Sequence, residues 1–261
     1  MMGAIAGDII GSPYEANPIK TKDFPLFQMR SRFTDDTVMT LAIARAILED
    51  RDYARHMREL GRKYPRAGYG ASFFHWLWSP EPRPYGSWGN GSAMRVSPVA
   101  MAMEKKEDVL REAALTAIVT HDHPEGIKGA QATALAIWLA KKTHDKEIIK
   151  EEIQRTFGYD LDRTLDEIRP SYFFDVSCQG TVPEAIICFL ESSSWEDAVR
   201  NAISLGGDSD TLGCITGAIA EAYYGEVPKE IRVKVKELLA PELRDILEKF
   251  YARFSPLAPL W

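Results

Sequence analysis

Apolar residues recur at three- and four-residue intervals along most of this 261-residue chain. In residues 35–50, for example, Val38, Leu41, Ala42 and Ala46 follow the spacing that an amphipathic helix requires. Similar patterns recur in residues 106–121, 126–144, 181–193, 194–207 and 228–254. Alternating runs long enough to form strands are scarce. The pattern therefore predicts an all-α fold.

Two series of glycines indicate where helices approach each other closely. Gly3, Gly7 and Gly11 stand four residues apart near the start of the chain, and Gly213 and Gly217 repeat the spacing late in the chain. A face without side chains lets another backbone come near. No linker or low-complexity segment divides the sequence. We expect one compact domain over residues 1–261, made of a dozen or so short helices.

Residues 64–92 interrupt the helical pattern. This stretch is dense in glycine, proline and aromatic residues, which predicts loops around one short helical piece. Long irregular segments inside compact domains tend to carry function. The segment is therefore a candidate part of a binding site.

Charge and composition exclude several classes of function. The formal net charge of −6 argues against general nucleic-acid binding, which needs a basic surface, but it allows a small phosphate-bearing ligand. The three cysteines match no zinc or redox spacing. The apolar N-terminal stretch is short, lacks a positive leading segment and contains Asp8, which is typical of neither a signal peptide nor a membrane span. We expect a monomeric cytoplasmic protein.

Adjacent carboxylates precede two of the predicted apolar helices. The motifs are Thr34-Asp35-Asp36-Thr37 and Asp208-Ser209-Asp210-Thr211. Helix capping explains one carboxylate per helix and leaves the second one unexplained. Four carboxylates buried together would raise one another's pKa unless cations neutralised them. Oxygen ligands of this kind suit Mg²⁺ or Mn²⁺ better than Zn²⁺. From the residues alone, capping and metal binding both stay open.

Four motifs in a fixed order resemble those of a known family. They are Thr34–Thr37, "GNGSAMR" at residues 89–95, "THDHP" at residues 120–124 and "GGDSDT" at residues 206–211. Over most of its length the chain resembles the ADP-ribosylglycohydrolase family, which includes the dinitrogenase reductase-activating glycohydrolase. The resemblance implies an all-α fold with two divalent cations, Mg²⁺ or Mn²⁺, held at helix N-termini at the bottom of an ADP-ribose cleft.

The resemblance also implies roles for single residues. The implied metal ligands are Thr34, Asp35, Asp36, Asp208, Asp210 and Thr211. The implied catalytic residues are Glu15, Asp35 and Asp36, with Glu15 acting as acid/base or shifting onto a metal. The implied substrate-binding residues are Gly86, Ser87, Trp88, Gly89, Asn90, Gly91 and His121. In this set Trp88 would cover the adenine and His121 would contact the distal part of the ligand.

Each of these residues also has a simpler interpretation. Glu15 alone is typical of a solvated loop carboxylate, Trp88 of a core residue, and the histidines at positions 121 and 123 of helix caps. Our hypothesis is that the chain is a metal-dependent hydrolase that cleaves the bond between ADP-ribose and an acceptor. A different two-metal phosphate or nucleotide hydrolase and a catalytically silent ADP-ribose-binding module are the alternatives. The sequence leaves the acceptor open among arginine, serine, O-acetyl and other groups.

Overall fold

The computed structural model describes residues 1–255 and 260–261, and this part of the chain is built from helices. The helices are α1 (Met2–Glu15), α2 (Asp35–Leu48), α3 (Tyr53–Lys63), α4 (Ala71–Trp78), α5 (Gly91–Met94), α6 (Ser97–Ala102), α7 (Lys106–Ile118), α8 (Pro124–Thr143), α9 (Lys146–Phe157), α10 (Leu165–Ile168), α11 (Cys178–Leu190), α12 (Trp195–Ile203), α13 (Ser209–Tyr224), α14 (Lys229–Leu238) and α15 (Pro241–Phe254). Within the described residues the only β pairing is one isolated antiparallel bridge between Gly89 and Ser177. The all-α prediction is confirmed.

Helices α1 and α13 pack against each other along their glycines. A Cβ atom added to Gly7 would lie 2.0 Å from the carbonyl oxygen of Gly213, and one added to Gly3 would lie 2.2 Å from that of Gly217. Real Cβ atoms do not approach other atoms so closely, so the two backbones can meet only where side chains are missing. The predicted close approach is confirmed, and it joins the first helix to a late one.

The centre of the molecule is formed by helices that are buried on nearly every side. All residues from Ser209 to Ala220 of α13 are buried, as are those from Met2 to Gly11 of α1. A helix that is apolar around its whole circumference belongs in a core. Polar residues within these two helices, such as Asp8 and Asp210, are therefore surrounded by protein.

The segment at residues 64–92 contains α4 and otherwise irregular backbone, as the sequence predicts. Its second half runs along the segment at residues 175–178: the amide of Asn90 donates to the Val176 carbonyl at 2.7 Å, and that of Cys178 to the Trp88 carbonyl at 2.9 Å. Among the described helices, none combines the length and the apolar character that crossing a membrane requires.

Candidate active site

The two carboxylate motifs meet in one cavity of about 740 Å³. The first motif forms the N-terminus of α2, where Thr34 caps the helix by accepting from the amide of Asp36. The second motif forms the N-terminus of α13. Asp36 connects the two, because its Oδ2 accepts from the hydroxyls of Thr34 at 3.4 Å and Thr211 at 3.3 Å. Residues far apart in the sequence thus share one polar cluster.

Capping does not account for the second motif. Asp208 is the N-cap residue of α13, but its side chain makes no capping hydrogen bond. Its Oδ2 instead accepts from the side-chain amide of Asn90 at 2.8 Å. The carboxylate therefore contacts the glycine-rich loop at residues 86–91 instead of capping its own helix.

Burial and crowding raise the pKa values of these carboxyl groups. Burial raises the pKa of Asp35 to about 8, with further contributions from Asp8, Asp208 and Glu15. The pKa values of Asp36 and Asp210 are raised well above the ordinary range, first by burial and then by neighbouring carboxylates. Carboxyl groups held this way accept a cation readily, because a cation replaces the protons and cancels the repulsion.

A divalent cation fits the donor atoms that the structure presents. Carboxylate oxygens of Glu15, Asp208 and Asp210 all lie within 4.8 Å of one another. Among the described residues, the buried Oδ1 of Asp36 has no hydrogen-bond partner. Buried polar atoms are usually satisfied, so this oxygen is free to accept a ligand atom or ion. Asp35 lies on the cavity wall, outside the group of three.

One carboxylate at the centre of the site was missed by the sequence reasoning. Asp8 is fully buried in α1 and accepts from the amide and hydroxyl of both Thr34 and Thr37, at 2.5 to 3.1 Å. It therefore satisfies the first turn of α2 from a different helix. The signal in the sequence is an acidic residue inside an apolar helix.

The glycine-rich loop lies beside the carboxylates and has part of its backbone already in use. The amide of Gly86 donates to Asp122 at 2.7 Å, and that of Gly89 to the Ser87 hydroxyl at 3.1 Å. With the Asn90 amide paired to Val176, the amides of Ser87, Trp88 and Gly91 are the candidates for binding a phosphate.

Two aromatic side chains stand exposed on the cavity wall. Trp88 is 53% exposed, with its ring centroid 5.4 Å from that of His123, so the core interpretation of this tryptophan is wrong. Phe174, which the sequence reasoning did not select, is 51% exposed and lines the same cavity. Exposed rings in a cavity are available to flat ligand groups.

A hydrogen-bond chain fixes the orientation of His121. Arg95 is fully buried and donates to the Thr120 hydroxyl at 2.9 Å, and that hydroxyl lies 2.7 Å from Nδ1 of His121. Because a guanidinium only donates, the Thr120 hydroxyl keeps its own proton for Nδ1. The Nε2 atom then carries the ring proton, and it faces the position where a Cβ on Gly91 would be, at 3.1 Å. Burial, followed by the charge of Arg95, lowers the pKa of His121 well below its ordinary value.

Comparison with known proteins identifies the family. The model of the ADP-ribosylglycohydrolase family matches residues 1–259. The chain belongs to the ADP-ribosylglycohydrolase family. It is 28% identical to the ADP-ribosylhydrolase ARH3 of Homo sapiens, over 95% of this chain and 93% of that protein. It is 24% identical to the ADP-ribosyl-(dinitrogen reductase) glycohydrolase of Rhodospirillum rubrum, over 80% of this chain and 79% of that protein.

A solved structure shows the same fold. The structure described as an ADP-ribosylglycohydrolase-related protein complex superimposes with a TM-score of 0.72 at 24% identity, covering 96% of each chain. The sequence-based resemblance to the ADP-ribosylglycohydrolase family is therefore confirmed. It places the chain among hydrolases of ADP-ribose linkages.

The structure brings every sequence-predicted site residue to this one cavity. The residues lining it include Glu15, Thr34, Asp35, Asp36, Gly86, Ser87, Trp88, Gly89, Asn90, Gly91, His121, Asp208, Asp210 and Thr211. His123, by contrast, caps α8, where its Nδ1 accepts from the amide of Glu125 at 3.1 Å. The placement is compatible with the roles that the ADP-ribosylglycohydrolase resemblance implies.

Proposed function

We propose that this protein is a Mg²⁺- or Mn²⁺-dependent hydrolase that releases ADP-ribose from an acceptor. The observation that carries the proposal is the meeting of two acidic helix N-termini in a cavity beside a glycine-rich loop. A cavity of about 740 Å³ falls in the range that ligand pockets of this kind usually occupy. The unsatisfied Oδ1 of Asp36 supports a cation in the same place.

The residues that would hold the cations are the six predicted ligands, joined by Glu15 through its nearness to Asp208 and Asp210. Threonine hydroxyls and carboxylates form an all-oxygen set, which Mg²⁺ and Mn²⁺ prefer. When bound, the cations supply positive charge that stabilises negative charge developing on ribose and water oxygens.

Glu15 is the candidate for moving the proton. It lies at the exposed side of the carboxylate cluster, and its pKa is raised by loss of water around it and by Asp208. A carboxyl group with a raised pKa can hold a proton for a leaving group and then accept one from water. Glu15 would therefore act at the bond between ADP-ribose and its acceptor.

The remaining wall residues would hold the nucleotide. The amides of Ser87, Trp88 and Gly91 would face the diphosphate, and the ring of Trp88 would cover the adenine. His121, neutral because its pKa is lowered, would offer the Nε2 proton as a donor. In this arrangement the chain positions the scissile ribose at the carboxylates without needing a basic surface.

Product analysis tests the proposal. The protein is incubated with an ADP-ribosyl-serine peptide, an ADP-ribosyl-arginine peptide and O-acetyl-ADP-ribose, with Mg²⁺, Mn²⁺ or a chelator. Release of free ADP-ribose that stops with chelator supports the proposal. Release of AMP or phosphate would indicate a different two-metal hydrolase. Tight ADP-ribose binding without turnover on any conjugate would indicate a silent binding module.

A further inference from the structure

Arg32 brings an exposed positive charge to the wall of the carboxylate cavity. It lies in the segment at residues 28–33, just before the Thr34 motif, and lines the cavity together with Glu15. Its charge acts on Glu15, since it opposes the rise in the pKa of that carboxyl group. Arg32 is therefore on the side of the cavity where Glu15 would act on the scissile bond.

A second arginine-bearing segment is held next to the first. The rings of Phe33 and Tyr64 pack edge to face with centroids 5.6 Å apart, and the amide of Asp35 donates to the Ala67 carbonyl at 3.1 Å. These contacts fix the backbone at residues 64–67 beside the start of α2, and this backbone carries the exposed Arg66.

Two exposed arginines on these segments, Arg32 and Arg66, form no ion pair within the described part of the chain. Neither has a carboxylate within 4.0 Å there, and the ion pairs of the described residues involve other side chains. Elsewhere exposed arginines such as Arg111 and Arg155 contact acidic neighbours. Arg66 precedes Ala67 and Gly68, which line the same cavity as Arg32, so both arginines offer exposed positive charge beside the cavity wall.

We infer that this cationic mouth, defined by Arg32 and Arg66, selects ADP-ribosylated side chains that lie within acidic peptide segments. The inference rests on the proposed function, since it takes the Glu15 side of the cavity as the side where the acceptor leaves. Fixed charges at the rim of a site discriminate between partners by attraction and repulsion. Acidic flanks meet opposite charge at the mouth, and lysine-rich flanks meet like charge. A long nucleic acid is less suitable, because the net negative charge of the whole protein repels it.

Peptides that differ only in their flanks test the inference. Each peptide carries ADP-ribosyl-serine between glutamates, alanines or lysines, and kcat/KM is measured for release of ADP-ribose. Affinity is measured in parallel by displacement of a fluorescent ADP-ribose derivative. The readout is the ratio between acidic and basic peptides, so a general loss of activity cancels.

The parent should prefer the acidic peptide by about fivefold at low salt, the size expected for one or two exposed ion pairs, and the preference should shrink as salt is added. The double variant Arg32→Gln/Arg66→Gln should bring the ratio close to one. Arg111→Gln, which removes an exposed arginine on α7 that does not line the cavity, should leave the ratio as in the parent.

Failure of this inference and failure of the proposed function give different results. Equal rates for all flanks, or a preference that survives in the double variant, would overturn the inference alone. If no ADP-ribose is released, the proposed function fails, but the affinity ratio still decides whether the mouth selects acidic flanks. A preference for an ADP-ribosylated 5′-phosphate oligonucleotide over the acidic peptide would overturn the choice of acceptor class.

Discussion

Asp36 shows how single atoms define the carboxylate site. One of its oxygens accepts from threonines of both motifs, and the other is buried without a partner among the described residues. Asp8 supports the same region from α1 by accepting four hydrogen bonds from Thr34 and Thr37. Asp8 is thus a positioning residue, since it sets the first turn of α2 on which Asp35 and Asp36 stand.

Removing one carboxylate should increase stability and abolish function. We expect Asp210→Asn to raise the melting temperature of the cation-free protein, since burial and then repulsion from Asp208 and Asp36 disfavour the charged carboxylate, and asparagine carries no charge. The gain should be of order 2–4 °C for each kcal/mol of repulsion removed. The same variant should lose the stabilisation by Mg²⁺ and the hydrolytic activity.

Thermal unfolding with and without Mg²⁺ checks this prediction. Asp245→Asn is the matched control, because Asp245 is an exposed aspartate on α15 paired with Lys249. The control should respond to Mg²⁺ as the parent does. A Mg²⁺ response in Asp210→Asn equal to that of the parent would contradict the ligand assignment.

Trp88→Ala should weaken binding of ADP-ribose without harming the fold. Base–aromatic stacking is worth about 1–3 kcal/mol, so the affinity should fall by roughly fivefold to more than a hundredfold. Ribose 5-phosphate lacks a base and should bind almost as before. Isothermal titration with both ligands measures the difference.

Trp78→Ala is the control for the Trp88 variant. Trp78 is 52% exposed, close to the 53% of Trp88, but it does not line the cavity. Its replacement should leave both affinities unchanged. Equal losses for the two ligands in Trp88→Ala would show that the adenine lies elsewhere, and Phe174 would be the next ring to test.

At the level of elements, the contact between α1 and α13 decides whether the site exists. α1 carries Asp8 and ends at Glu15, and α13 carries Asp210. Their glycines let the two backbones come close enough for these carboxylates to share one cluster. A change that separates the helices should therefore affect stability and cation binding together.

The substitution Gly7→Ala is expected to push helices α1 and α13 apart. The added methyl group would lie 2.0 Å from the Gly213 carbonyl oxygen, which is backbone and cannot turn aside. We expect the free energy of unfolding to fall by at least about 2–3 kcal/mol, because the added methyl group overpacks the core. That corresponds to a fall in melting temperature of roughly 5–10 °C for a domain of a few hundred residues.

Gly70→Ala is the matched control, because a methyl group there would meet nothing within 4 Å. Its melting temperature should stay close to that of the parent. If Gly7→Ala has the same melting temperature as the parent, the close approach of α1 and α13 is not needed for the fold.

For the whole molecule, the raised pKa values predict a pH dependence. The pKa of Asp8 is raised to about 6 and that of Asp35 to about 8, in both cases chiefly by burial. Between about pH 4 and pH 8 the folded chain then holds protons that the unfolded chain has lost. Without cations, stability should therefore fall as pH rises through this range.

Melting curves at about pH 5.5 and pH 8, recorded with chelator or with Mg²⁺, test whether stability falls as pH rises. The chelated protein should melt several degrees lower at the higher pH, since each pKa unit corresponds to about 1.4 kcal/mol. Mg²⁺ should reduce the difference, because it replaces the protons. A chelated protein that is equally stable at both pH values would show that these carboxylates ionise freely.

Sequence reasoning recovered the helices and the motif residues because both are encoded locally. The apolar spacing of residues 35–50 and the paired carboxylates before it can be read without knowing the partners. Phe174 and Arg32 could not be selected in this way, and the signal for Asp8, an acidic residue inside an apolar helix, does not show what it contacts. Their importance comes from what lies across the cavity or beside them after folding, such as the Thr34 amide for Asp8 or Glu15 for Arg32. The spacing of residues within one stretch of chain does not predict such long-range contacts.

The pairing of α1 with α13 also bears on how the protein is made. A ribosome releases α1 before α13, and helices α2 to α12 are synthesised between them. Contacts between such distant stretches form slowly, because a long loop must close before they stabilise anything. The nascent chain accordingly has no complete carboxylate cluster until α13 has been synthesised, so the proposed cation site can form only after that helix has left the ribosome.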